Sequence, residues 1–308
     1  MQTILGGGGA IGKALAKELK NYSNQIRIVS RTPQKVNSDD ELLPADLTDK
    51  DSVLRAVEGS SIVYLVAGIP YKLKTWQTQW PVIMRNVIAA CQHHQASLVF
   101  FDNVYAYDAR SIPHMKEDSP VNPPSKKGAV RAAIAQMLLD GANRENLKAM
   151  IVRAADFYGP GISNSMLMET VYKNLKKGKA AYWMADPSKT HSFTYTPDAA
   201  KATALLGNTA DAYNQVWHLP TSDEKLTGRE WVRLFAKELG QKEKLSTVSK
   251  GLVKFLGLFN PLMKEMVEMM YQYDRDYYFD SSKFRTRFPT FRTTSYEEGV
   301  KEIVRTAE

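Results

Sequence analysis

The chain has 308 residues and a single cysteine, Cys91, which rules out an internal disulfide framework and fits a reducing, cytoplasmic compartment. Histidine is scarce too. There are five, and the adjacent pair His93-His94 would point about 100° apart on a helix, so no metal site is expected. No apolar run is long enough to span a bilayer. The sequence starts directly in a strand, so no signal peptide is expected. Internal repeats and low-complexity linkers are also missing, so its regions read as one packed body. Acidic residues are outnumbered, 33 Asp and Glu against 41 Lys and Arg, giving a net charge of +8. The basic residues are scattered and no nucleic-acid module accompanies them, so no nucleic-acid partner is expected. An anionic cofactor, and an anionic substrate with it, account for the sign.

Glycine, by contrast, is concentrated at one place. The apolar run Thr3-Ile4-Leu5 breaks into Gly6-Gly7-Gly8-Gly9 and resumes as Ala10-Ile11-Gly12-Lys13-Ala14-Leu15, with apolar residues at helical spacing. Strand, glycine turn and helix form the context in which such a motif means a dinucleotide site. Two spacings fit: Gly7-x-Gly9-x-x-Gly12, and Gly6-x-x-Gly9-x-x-Gly12. The loop from Gly6 through Gly8, Gly9, Ala10, Ile11 and Gly12 is expected to hold a pyrophosphate at the helix N-terminus. A second strand, residues 25–31, ends in Ser30-Arg31, with Lys35 close behind, where an NAD-binding chain carries an acidic residue for the ribose hydroxyls. A guanidinium suits a 2′-phosphate, so NADP is expected over NAD, which stays open.

Strands over 41–47, 61–68, 97–101 and 149–153 alternate with helices over 49–58, 81–94 and 128–141, and residues 108–127 make a polar, proline-rich loop. Such alternation implies an α/β fold with a doubly wound parallel sheet. After residue 153 it stops. Helical segments 164–177, 227–239 and 250–270 suggest a smaller, mostly helical C-terminal region. The expected division is a dinucleotide-binding domain, 1–155 plus about 190–212, and a substrate-binding region, 156–189 plus 213–308. Met263, Met266, Met269 and Met270 mark an apolar helix, read as core or as a homodimer interface. As a cleft lining it suits a bulky apolar small-molecule substrate. A membrane-interface helix is disfavoured there, because Lys254, Lys264, Glu265 and Glu268 are sparse and mixed in sign.

These stretches resemble the extended short-chain dehydrogenase/reductase family, the NAD-dependent epimerase/dehydratase group, over nearly the whole chain. The resemblance rests on Gly6-x-x-Gly9-x-x-Gly12, Ala45-Asp46-Leu47 and Val66-Ala67-Gly68. It rests further on Val152-Arg153-Ala154-Ala155-Asp156-Phe157-Tyr158-Gly159-Pro160-Gly161 and Phe193-Thr194-Tyr195-Thr196-Pro197-Asp198-Ala199-Ala200. It implies a Rossmann fold, adenine contact at Asp46 and Leu47, ribose and pyrophosphate flanked by Val66, Ala67 and Gly68, and a cofactor contact at Ala154. The departures lie in the catalytic residues. Where the family has serine or threonine after the fifth strand, this chain has Asp102-Asn103. Lys127 takes the place of the tyrosine, and Arg131 that of the lysine four residues on. Trp80 falls near the expected asparagine.

Arg131 can still hold ribose hydroxyls, though as a permanent cation it is no acid or base. Lys127 has two readings, a proton donor or a solvated lysine at a helix start. Asn103 has two as well, a polarising donor to a carbonyl oxygen or a turn residue. Tyr105, Tyr107 and Tyr71 are further phenols that could replace the lost donor or simply pack. The resulting expectation is an oxidoreductase acting on a carbonyl or enone with a non-standard donor. The alternative is a catalytically inactive regulator that senses NADP(H).

Overall fold

The computed structural model describes residues 1–144, 147–162 and 165–306, without the side chains of residues 144 and 262. Residue 164, the expected start of one helical segment, lies outside them. In chain order the elements are β1 (Gln2–Leu5), α1 (Ala10–Leu19), β2 (Ile26–Ser30), β3 (Glu41–Pro44), α2 (Lys50–Val57), β4 (Ile62–Leu65), α3 (Leu73–His93), β5 (Ser97–Asp102), α4 (Lys126–Arg144) and β6 (Ala149–Arg153). There follow β7 (Asp156–Tyr158), a π-helical turn (Leu167–Tyr172) running into α5 (Lys173–Lys176), β8 (Ala181–Met184), β9 (Phe193–Tyr195) and α6 (Thr196–Gly207). The chain continues with β10 (Val216–His218), α7 (Gly228–Glu238), β11 (Leu245–Val248), α8 (Lys250–Leu256), α9 (Pro261–Val267), α10 (Ser282–Arg287) and α11 (Tyr296–Thr306).

Two compact units emerge. One comprises Met1–Ala106, Lys127–Arg153 and Ala199–Leu219, and the other Tyr107–Lys126, Ala154–Asp198 and Pro220–Glu308. The first unit holds a seven-stranded, wholly parallel sheet in the order β10-β6-β5-β4-β1-β2-β3. This is the doubly wound Rossmann arrangement. Strand order reverses between β1 and β4, so the connections leaving their carboxyl ends part there and leave a crevice. The register pairs Leu5 with both Val29 and Leu65, which sets Gly6 and Val66 side by side at its floor. Central strands of such a sheet are covered on both faces and read as continuous apolar runs. All five residues of β6 are buried accordingly. Leu65, Phe100 and Ile151 pack with Trp76, Trp80, Met84 and Val87 of α3 and Ile134 and Leu138 of α4.

Sequence and structure differ at several boundaries. Pro81 suggests a helix start, because its missing N–H costs nothing in a first turn. Instead α3 opens at Leu73 and runs through the proline, which buries Trp76 and Trp80. The expected helix over 250–270 breaks at Gly257–Asn260 into α8 and α9.

In the second unit β7 pairs with β9, and β8 with β11, both in parallel. Strands β8 and β11 were not expected from the sequence. Tyr158, Trp183, Phe193, Trp231, Phe235 and Tyr296 make its aromatic core. Helix α7 presents Trp231 and Phe235 to that core and is held at its start by a reciprocal cap, Glu230 N–H to Thr227 Oγ1 at 3.3 Å and Thr227 N–H to Glu230 Oε2 at 2.7 Å.

Candidate cofactor and active site

The glycine loop leaves the end of β1 as Gly6 and Gly7 both donate N–H to the Val29 carbonyl, at 2.9 and 3.1 Å. Gly6 has φ +88°, and a Cβ there would stand 2.3 Å from the Ala67 Cα, so no side chain fits. Gly12 is tight as well, a Cβ meeting the Gly7 Cα at 2.6 Å, which lets α1 start directly against the turn. Gly9 is the opposite case. Its φ of −83° and ψ of 173° are ordinary extended backbone, and a Cβ would meet nothing within 4 Å. Glycine here keeps space open in front of a helix end. That end has no side-chain cap and no acidic residue in its first turn, where Ala10 and Ile11 sit half-buried. Its leading N–H groups are therefore suited to an anion.

The rim continues along the sheet edge. Gly8 is exposed, and a Cβ on it would come within 3.8 Å of the Ser30 Oγ. That hydroxyl is buried with no hydrogen-bond partner, and a ligand hydroxyl or phosphate oxygen would satisfy it. Arg31 is exposed beside it. Asp46 is exposed too, accepting from Thr48 N–H at 2.9 Å and Thr48 Oγ1 at 2.7 Å. Those two bonds, with a smaller contribution from the Arg31 charge, hold its carboxyl below the usual range. Leu47 is buried behind it, Val66 and Ala67 are half-buried, and Gly68 is exposed at the mouth of the crevice.

A second cluster forms beyond the ends of β4 and β5. Lys127 is fully buried, so its reading as a solvated lysine is corrected. Its Nζ lies 4.7 Å from the centroid of the Tyr71 ring. Tyr71 meets Trp76 edge-on at 5.5 Å, and Trp76 stacks with Tyr105 at 6.2 Å. Asn103 makes a turn, its Oδ1 accepting the Tyr105 N–H at 3.0 Å, which leaves Nδ2 as its donor. Tyr107 and Ala154 belong to the second unit, where both are buried.

Arg131 is given different work from the ribose contact expected of it. Its Nε donates to Asp102 Oδ1 at 2.7 Å, and the guanidinium stacks 4.6 Å from Trp80 and 4.9 Å from Phe100. The Arg153 Nε reaches the other oxygen, Oδ2, at 3.2 Å. Asp102 thus binds β5, α4 and β6 together through a buried carboxylate between two guanidiniums. The sequence names Asp102 and Arg153 within its motifs but does not announce that they pair. The two arginines lie 29 and 51 positions from the aspartate, and only the sheet order brings them together.

The model of the "NAD dependent epimerase/dehydratase family" matches residues 3–218. The chain belongs to this family. It is similar, at 24% identity over 177 residues, to the "3beta-hydroxysteroid-dehydrogenase/decarboxylase isoform 2" of Arabidopsis thaliana, covering 53% of this chain but only 30% of that longer protein. It is 22% identical over 242 residues to the "UDP-N-acetyl-alpha-D-glucosaminuronate decarboxylase" of Bacillus cytotoxicus, covering 72% of this chain and 75% of the relative. Among solved structures, the UDP-glucose 4-epimerase of Thermus thermophilus, in complex with NAD, superposes with a TM-score of 0.78 at 18% identity, over 99% of this chain and 98% of that one. Among the described residues no His, Cys, Asp and Glu group could hold a metal ion, and no helix is long and apolar enough to cross a membrane.

The two later family stretches meet as β7 and β9 of the second unit. They carry a polar cluster that the sequence did not announce. Asp156 Oδ2 takes His191 Nε2 at 2.9 Å and the Tyr273 hydroxyl at 2.8 Å, while the imidazole is stacked between Tyr273 and Tyr277.

Proposed function

We propose that this chain is an NADP(H)-dependent oxidoreductase of the epimerase/dehydratase family, acting on a carbonyl or enone of a small molecule with Tyr71 in place of the usual tyrosine. The first unit is the dinucleotide-binding part, and substrate selection falls to the second. The open space at Gly9, the uncapped α1 N-terminus and the partnerless Ser30 hydroxyl fit a dinucleotide diphosphate and ribose. Arg31 takes the 2′-phosphate that distinguishes NADP. A bound nicotinamide supplies hydride exchange with the substrate carbon.

The observation that carries the reading is the buried Lys127 ammonium over the Tyr71 ring. A cation held there favours negative charge on Tyr71 Oη as its proton passes to the substrate oxygen, and Asn103 Nδ2 is a second donor to that oxygen. Trp76 and Tyr105 hold the Tyr71 ring in place. Named dehydrogenase activity in the Arabidopsis relative supports redox chemistry.

The test is oxidation of NADPH against a panel of ketones and enones, with Tyr71→Phe and Tyr105→Phe compared. Tyr71→Phe should lower turnover by about 10²–10⁴-fold with cofactor affinity unchanged, and Tyr105→Phe should cost far less. Full activity in Tyr71→Phe would remove that residue from the mechanism. Tight NADP(H) binding with no turnover on any compound would point to a cofactor sensor instead.

A further inference from the structure

Helix α8 exposes the side chains that a helix ordinarily buries. Leu252, Phe255, Leu256 and Phe259 recur at the i, i+3, i+4, i+7 spacing of an inward apolar stripe. The helical turn continues past Leu256, through bonds from Leu258, Phe259 and Asn260 N–H back to the carbonyls of Phe255 and Leu256. Only Val253 of α8 is buried, in a small cluster with Met184, Met270 and Tyr273. The stripe turns the other way, with Phe255 59% and Phe259 78% exposed, and Leu258 in the turn after the helix is 74% exposed. The Phe255 and Phe259 rings meet edge to face at 5.7 Å, so they form one apolar knob. A continuous apolar projection of this kind marks an interaction surface.

The charges around it settle what it meets. In the sequence Lys250, Lys254 and Lys264 are followed by Glu265 and Glu268. In the structure Lys250, Lys254 and Lys264 are exposed, whereas Glu265 is half-buried and Glu268 is drawn inward to accept the Lys126 N–H at 2.9 Å. The exposed charges of this stretch are therefore cations, with Lys250 and Lys254 along one flank of the apolar stripe. We infer that α8 and the turn after it dock this protein on the surface of an anionic lipid bilayer. The apolar side chains enter the interface and the three lysines meet the headgroup phosphates. A second copy of the chain fits less well, since a two-fold contact would lay the lysines of one patch against those of the other.

The experiment is co-sedimentation of the full chain with vesicles of phosphatidylcholine alone and of phosphatidylcholine mixed with phosphatidylserine. The parent should bind the mixed vesicles at least about tenfold more tightly, and added salt should release it. The pair Phe255→Ser and Phe259→Ser changes two exposed residues, so it should melt like the parent yet stay in the supernatant. The pair Lys250→Glu and Lys254→Glu should abolish the preference for phosphatidylserine. Failure of the parent to bind either vesicle, or binding that both double variants leave unchanged, would overturn the inference. So would a dimer, seen by sedimentation equilibrium, that the phenylalanine pair dissociates while no vesicle is bound, because the patch would then belong to a second copy.

Discussion

At the scale of single residues, the glycines were readable and the arginines were not. A glycine that must turn or pack closely does so against its immediate neighbours, so the tight turn at Gly6 and the close packing at Gly12 could be read from a run of ten residues. Arg131 could not, because it lies on α4 while its partner Asp102 ends β5, and nothing local signals the pair. Arg31 stands between these cases. It follows β2 at an exposed position, and its charge is felt at Asp46, so it is the cation to test for recognition of a 2′-phosphate. The parent should bind NADP(H) more tightly than NAD(H). Arg31→Asp should invert the order, since a carboxylate repels the 2′-phosphate and accepts from free ribose hydroxyls. Titration calorimetry with both cofactors checks this. Equal affinities in the parent would remove Arg31 from recognition.

Elements were legible where apolar periodicity ran long and illegible where tertiary packing overrode local punctuation. All of β1, β2, β4, β5 and β6 could be read as strands, whereas α3 absorbed its proline and β8 and β11, which pair with each other in the second unit, were not expected. What ties the readable elements together is buried charge, and its removal has a sign and a size. Asp102→Ala would leave the Arg131 and Arg153 guanidiniums buried without their carboxylate, at a cost of about 3–5 kcal/mol. A urea melt should show that loss with an unchanged denaturant slope, and a loss below about 1 kcal/mol would mean that the guanidiniums find other partners. A smaller electrostatic tie joins α10 to the turn that precedes Met115. Burial pushes the Asp280 carboxyl up, but bonds from Ser282 and from His114 Nε2, at 2.9 Å, outweigh it and bring it to about 2. Its folded value lies below the ordinary aspartate value of about 3.9, so the stabilisation is complete above about pH 4 and is lost as pH falls toward 2. Asp280→Asn should flatten the acid limb of the stability curve by an amount of order 1 kcal/mol after solvent screening. An acid limb identical to the parent's would show that the bond adds nothing.

For the whole molecule, fold class and family followed from the sequence because strand–helix alternation and the family's stretches run along the chain from β1 and its glycine turn onward. The approach of Lys127 to the Tyr71 ring did not, since the two are 56 positions apart in the sequence. The same opening segment also links cofactor to stability. The cradle at Gly9 requires β1 paired to β2 and β4, so it exists only in the folded chain, and a ligand that binds there must stabilise that state. At a concentration about a hundredfold above its dissociation constant, NADP(H) should add about 2.7 kcal/mol, a rise of about 5 °C in melting temperature for a chain of this size. Gly9→Val should melt close to the parent without cofactor, because the backbone there is extended and a side chain meets nothing within 4 Å. It should show no rise when NADP(H) is added, because the new side chain occupies the space of the diphosphate. If the two units unfold in separate transitions, the shift belongs to the one that melts the seven-stranded sheet. A parent that gains no stability, or a Gly9→Val variant that gains as much, would place the dinucleotide away from this loop.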